Sequence, residues 1–150
     1  MNVTRRNFLA GAGIAATAVL AGCGSSDGGS ASGEKTYKIG VVQLTEHAAL
    51  DASNEGFVEA VNASGLSVSI DQQNAQNDQS ACQTIASKFV GDGVDLIFAI
   101  ATPAAQAAAG ATSDIPIVGT AITDFAASGL VKDNDKPGTN VTGSSDLTPV

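Results

Sequence analysis

Nine polar residues stand where apolar runs of the chain give out: Gln43, Thr45, Glu46, His47, Thr102, Thr123, Asp124, Ser145 and Asp146. If those runs are parallel strands, the nine collect along the carboxyl edge of one open sheet, where α/β proteins bind ligands. Thr102 is followed by Pro103, a pair that opens a helix. The free backbone N–H groups of such a helix, with the Thr102 hydroxyl, make a seat for a carboxylate or another small anion. Glu46, Asp124 and Asp146 can pair with an ammonium group. An anion seat beside carboxylates suits a zwitterion such as an amino acid. Plainer roles stand beside these: Thr102 as a helix cap, Glu46 and Asp124 as solvated loop acids, Asp51 as the charge in a first helical turn. His47 reads as a pocket-lining residue.

Other chemistries fail on residue type or spacing. The single histidine and the lack of Cys/His spacing leave no metal set. There is no GxxxxGK[ST] loop and no GxSxG elbow between a strand and a helix. One histidine without an acid and nucleophile in motif context does not make a triad. A phosphoacceptor domain needs an aspartate ending its third strand, and here that strand ends in Ala101-Thr102. The stretch from Gly11 to Ala16 fits a dinucleotide fingerprint but has no strand before it, so it is rejected. The chain reads as a binding protein without catalytic residues, metal or cofactor.

The elements that must position these residues alternate between strand and helix. Lys38–Asp51 (KIGVVQLTEHAALD) runs from a buried parallel strand through a polar loop into a helix. That helix spans about Ala49–Ala63, with Gly65 at its left-handed end. Ser67–Gln73 alternates and reads as a sheet edge or a partly covered strand. Asn77 or Asp78 caps a second helix whose stripe is Ala81, Cys82, Ile85, Ala86, Phe89 and Val90, closed by Gly91 and Gly93. Asp95–Ala101 is apolar throughout and therefore central. A third helix, Pro103–Thr112, is almost all alanine. A fourth strand runs from Ile115 to near Ala121, a short helix over Phe125–Leu130 follows, Lys132–Gly138 turns in solvent, and Asn140–Ser145 is a fifth strand. The fold class is α/β, a doubly wound parallel sheet with right-handed crossovers.

The amino terminus reads as an address and an anchor. Arg5-Arg6 resembles a twin-arginine export signal, and the apolar stretch Ala10–Ala21 is too short to span a bilayer. Leu20-Ala21-Gly22-Cys23 resembles a bacterial lipobox, so residues 1–22 are expected to be removed and Cys23 to carry the lipid. Residues 23–35 form the lipidated cysteine and a Gly/Ser-rich tether, with a reach of roughly 20 Å; residues 36–150 are the folded lobe. With Cys23 acylated, Cys82 has no partner and is expected to be a small buried hydrophobe. The net charge of −8 becomes −10 once Arg5 and Arg6 are removed, which argues against a nucleic-acid partner.

Five segments carry a family resemblance: IGVVQLTEHAALD (39–51), QNAQND (73–78), DLIFAIATPAAQAAA (95–109), DIPIVGTAITD (114–124) and GTNVTGSSDLTPV (138–150). In order and spacing the chain resembles the solute-binding lipoproteins of ABC importers, in the group that includes tryptophan- and tyrosine-binding members. That resemblance implies a Rossmann-like lobe of a type I periplasmic binding protein, with ligand held between two lobes on a hinge. It implies an aromatic or related amino acid as ligand, and an ABC permease with its ATPase as partners. The protein would sit on the extracytoplasmic face of the cell membrane through its lipid. Carried over by position, Thr45, Glu46, His47, Thr102, Pro103, Ala104, Thr123 and Asp124 would line the N-terminal half of the cleft. The sequence ends at Val150, where the family's chain crosses to its second lobe, so half a cleft and weak or no binding by this chain alone are expected. The alternative is a ligand-sensing interaction module for a membrane signalling partner.

Overall fold

The structure, a computed structural model, describes residues 35–146. The leader 1–22, Cys23 and the tether up to residue 34 lie outside the described residues. Eight elements alternate: β1 (Tyr37–Gln43), α1 (Ala48–Ala63), β2 (Val68–Asn74), α2 (Gln79–Asp92), β3 (Leu96–Ile100), α3 (Thr102–Ala111), β4 (Ile117–Ile122) and β5 (Val141–Ser145). The sheet order is β2-β1-β3-β4-β5 and every pairing is parallel. The alternating Ser67–Gln73 segment is indeed an edge, and the wholly apolar third strand is the middle of the sheet.

The two faces are covered differently. Val42, Ile97 and Ala99 face α2 and α3, where Cys82, Ala86 and Phe89 meet Ala104, Ala105, Ala107 and Ala108. Alanines let α3 lie close to both α2 and the sheet, because short side chains bring the two backbones together. On the other face Ile39, Val41, Phe98 and Ile100 meet Leu50, Phe57 and Val61 of α1. There the Phe57 and Phe98 rings stack with centroids 3.9 Å apart, although no α1 residue is fully buried. Cys82 is fully buried, and that burial pushes its thiol pKa up. It packs as the small hydrophobe expected of it.

Local signals explain most of the boundaries. Asp78 caps α2, its Oδ1 accepting from the N–H of Ser80 at 2.7 Å and of Ala81 at 3.3 Å. Gly93 ends α2 in the left-handed region at φ 62°. Gly40 is needed for closeness: a Cβ there would sit 2.6 Å from the Phe89 ring.

Two expectations are corrected. Thr102 does not cap α3. The chain turns at Ala101 with φ 85°, which is the N-cap and supplies no side-chain bond, so Thr102 and Pro103 already lie in the first turn. The short helix over Phe125–Leu130 is a set of turns instead. Ser128 N–H reaches the Asp124 carbonyl at 3.1 Å, and Gly129, at φ 72°, then reverses the chain toward Leu130. Asp124 organises these turns: its Oδ1 accepts from the Ala127 N–H at 2.9 Å and from Asn134 Nδ2 at 3.1 Å.

Two outcomes follow from these contacts. Gly40→Ala should destabilise the domain by about 1–3 kcal/mol through overpacking. Phe89→Leu should be harmful in the parent yet neutral or helpful in the Gly40→Ala background, since the two residues share one space. Urea denaturation of the four proteins checks this, and additive losses would refute the shared contact. The second outcome concerns pH. The Ala127 N–H first, then Asn134, hold the Asp124 pKa below its ordinary value. A lowered folded pKa gives stability present above the unfolded pKa and lost as pH falls through the folded one. Protection of the Ala127 amide, taken relative to the intrinsic exchange rate at each pH, should therefore fall on acidification, and in Asp124→Asn that acid-dependent step should vanish.

Candidate ligand-binding edge

Because every strand is parallel, all five carboxyl ends share one edge, and backbone bonds beyond the ladders tie them in sequence. Ala75 N–H donates to the Gln43 carbonyl at 2.9 Å, and Asn77 N–H to that of Leu44 at 2.7 Å. Leu44 N–H reaches Ile100 at 3.3 Å, Ala101 N–H reaches Thr120 at 3.0 Å, and Asp146 N–H reaches Ile122 at 3.1 Å. The ends of β2, β1, β3, β4 and β5 thus form one continuous ledge. All four non-glycine residues with positive φ among the described residues, Gln76, Asn77, Ala101 and Ala121, stand on it. Backbone held in such regions clusters at functional sites.

The residues singled out by sequence all reach this ledge, but in different states. Glu46, His47, Thr123, Ser145 and Asp146 are exposed, whereas Thr45, Thr102, Pro103 and Asp124 are half-buried. His47 caps α1: its Nδ1 accepts from the Ala49 N–H at 3.3 Å. That contact uses the Nδ1 lone pair, so a neutral ring carries its proton on Nε2 and offers a donor outward. Ser145 Oγ donates to the Thr123 carbonyl, fastening β5 to the end of β4. Asp124 keeps its charge through the bonds described above.

Gln43 is only 3% exposed, and its amide is engaged within the protein. Its Nε2 donates to the Thr45 carbonyl at 2.8 Å and to Asp51 Oδ1 at 2.6 Å. Its Oε1 accepts from Asn54 Nδ2 at 3.2 Å. Asp51 therefore meets Gln43 rather than only charging the first helical turn. The Ala104 side chain is fully buried in the core, so whatever Ala104 contributes to the ledge comes from its backbone N–H. The first N–H groups of α3 have no intrahelical acceptor; Pro103 has none to offer, which leaves those of Thr102 and Ala104.

The loop after β2 belongs to the same ledge and was missed as a site element from sequence, where Asn77 figured only as a cap. Asn74 Oδ1 accepts from the Gln76 N–H at 2.8 Å, and that turn brings Asn77 onto Leu44. The amide-rich run Gln72–Asn77 at the end of an edge strand was its signal. Among the described residues no group of three or more His, Cys, Asp or Glu is arranged to hold a metal.

Comparison with known proteins agrees with this architecture. Residues 38–150 match the family described as ABC transporter substrate binding protein. A tyrosine-binding protein of Clostridioides difficile is 49% identical over 93% of this chain, and the chain spans 44% of that relative's length. The ligand-free, open structure of a Clostridium difficile substrate binding protein with adhesive properties is 57% identical, with TM-score 0.74 over 76% of this chain and 40% of its own. A Streptococcus pneumonia protein solved with L-Trp is 44% identical, with TM-score 0.73 over 77% of this chain and 40% of its own. Branched-chain amino-acid binding proteins at 18–19% identity share the fold. The sheet and flanking helices are those of the N-terminal lobe of a type I periplasmic binding protein, and the relatives belong to a class that binds without catalysis. The chain belongs to the ABC transporter substrate-binding protein family.

Proposed function

We propose that the ledge is one wall of an amino-acid cleft in a solute receptor for import, with an aromatic amino acid as the favoured ligand. The observation that carries this is the meeting, on one edge, of the α3 N-terminus with Glu46, His47 and Asp124. The N–H groups of Thr102 and Ala104 and the partial positive charge of the helix end suit a carboxylate. Glu46 and Asp124 suit an ammonium group. The relatives add the side-chain preference, since one is named for tyrosine and another holds L-Trp. On this reading the receptor closes over its ligand by hinge motion and hands it to an ABC permease driven by an ATPase. It stays near that permease through a lipid on Cys23, at the extracytoplasmic face of the membrane.

Two measurements test these proposals. In a nuclear magnetic resonance titration with L-tryptophan and L-tyrosine, amides of Glu46, His47, Thr102, Ala104 and Asp124 should shift. Those of Tyr37, Leu66 and Asp95, at the other end of the strands, should stay still. Shifts confined to that other end, or shifts with sugars and none with amino acids, would reject the amino-acid cleft. For the anchor, cells fed radiolabelled palmitate should yield labelled protein in the membrane fraction. Cys23→Ala should be unlabelled and no longer processed after residue 22; a labelled Cys23→Ala protein would end the lipidation proposal.

A further inference from the structure

We propose that Gln43 is a positioning residue of the cleft, not a ligand contact: it presets the Leu44–His47 loop that carries Glu46 and His47. This rests on the amino-acid cleft reading above.

The argument starts from what one amide does. Gln43 is the only buried polar residue among the described residues. Both of its N–H groups and its oxygen meet partners on two different pieces of chain. The Thr45 carbonyl belongs to the loop; Asp51 and Asn54 lie one turn apart on α1. The amide therefore brackets the loop against the helix. The far end of the loop is fixed independently, where His47 Nδ1 caps α1 and the His47 carbonyl accepts from the Asp51 N–H at 2.8 Å. Leu44 is held from both sides, its N–H on Ile100 and its carbonyl receiving Asn77. A short loop with this many fixed points leaves little for a ligand to order, and a preset wall saves that entropy on binding.

Residue chemistry singles out glutamine. The site requires two donors, for a carbonyl and a carboxylate, and one acceptor, for the Asn54 amide. Glutamate would supply no donor at neutral pH and would face Asp51 at 2.6 Å. An aliphatic side chain would leave the half-buried Asp51 carboxylate and the Thr45 carbonyl without this donor. Asn54 sharpens the point. Its Nδ2 serves Gln43 while its Oδ1 is buried with no hydrogen-bond partner. Orphaned buried acceptors are rare, and here the orphan is the consequence of aiming the amide at Gln43.

The test is Gln43→Glu, with Gln43→Glu/Asp51→Asn as a second variant that restores a donor at position 51. Two quantities are read against pH: amide exchange at Thr45–Asp51 without ligand, taken relative to the intrinsic rate at each pH, and affinity for L-tryptophan and L-tyrosine. The other titratable groups on the surrounding elements are Glu46 and His47 in the loop, Glu55 and Glu59 on α1, Tyr37 and Lys38 at the far end of β1, Asp71 on β2 in its ion pair with Lys88, Asp78 at the start of α2, and Cys82 and Asp92 within α2; β3 contributes none. Near neutral pH Gln43→Glu should speed loop exchange and weaken binding, each by about tenfold, as expected for leaving buried partners unmet. Both should recover together on acidification, when the introduced carboxyl group and Asp51 share a proton. The double variant should recover part of both near neutral pH and lose the acid dependence. If Gln43→Glu loosens the loop but binds as the parent does, or weakens binding with no acid recovery while the double variant gains nothing, the positioning role is wrong. If the parent binds neither amino acid, alone or joined to the second lobe of the 57% identical relative, the cleft reading falls and takes this role with it, a result distinct from equal affinities of parent and variant.

Discussion

A strand paired in parallel on both sides has no hairpin route to its neighbour, so each connection must travel back along the sheet before the next strand begins. In residues 35–146 that return is made by α1, α2 and α3, and between β4 and β5 by the turns that follow Asp124. The direction of travel sorts the loops. Those entering strands gather at one end, around Tyr37, Ser67 and Asp95; those leaving strands gather at the other. Every polar residue of interest sits in the second set because the first has only to return the chain, whereas the second lies where β1 is left in both directions across the sheet. β2 lies on one side of β1 and β3 on the other. Their diverging crossovers part the helices there, and the loops after β1 and β3 are the ones that meet through Leu44 and Ile100.

The same constraint explains where the packing is tight. Two helices cover one face of the sheet and share a core of alanines with Cys82 and Phe89, so strand and helix must come very close. Gly40 under Phe89 is the sharpest case. One helix covers the other face, with stacked Phe57 and Phe98 as its principal contact, and every α1 residue keeps some solvent exposure. Helix α1 thus depends less on burial and more on its ends. His47 at its start and the Gln43 bracket along its first two turns fix its position relative to the sheet, and with it the loop in front.

Much of this was readable without coordinates because it depends on short-range pattern. The apolar runs of β1 and β3, the alternating β2, the cap at Asp78 and the left-handed Gly93 are each decided by residues next to one another. What escaped reading depended on distance or on residues that carry no signal. Ala101 takes a positive φ that an alanine does not advertise, and Thr102 then lost the capping role its type predicts. The Phe125–Leu130 segment has a helical pattern, but Asn134, several residues on, engages Asp124 and the Ala126 N–H, and Gly129 turns the chain back. Gln43 sits at the right edge for a ligand contact, yet its partners are eight and eleven residues away on a helix face that sequence does not align with it. Histidine is not among the preferred caps, so the job of His47 Nδ1 was hidden too.

Separating the groups already engaged from those left free narrows what this wall can recognise. Gln43, the Nδ1 of His47, the Oδ1 of Asp124 and the hydroxyl of Ser145 hold the protein together. The groups without such a bond include the Glu46 and Asp146 carboxylates, the Oδ2 of Asp124, the Nε2 side of His47 and the first N–H groups of α3. All of these address charge or hydrogen bonds. The aromatic rings among the described residues are elsewhere: Tyr37 at the opposite end of β1, Phe57 and Phe98 stacked under α1, Phe89 beneath α2, and Phe125 buried. On the amino-acid cleft proposed above, a ledge with donors and carboxylates but no free ring would read the ammonium and carboxylate that every amino acid shares. Discrimination among side chains on such a wall would then come from shape, with Leu44 and the pyrrolidine of Pro103, both half-buried, as the apolar surfaces on offer. On that proposal one scaffold would serve different amino-acid ligands, the common head group falling to backbone and loop geometry, which the parallel sheet fixes, and the variable part to a few contacts that can change without disturbing it.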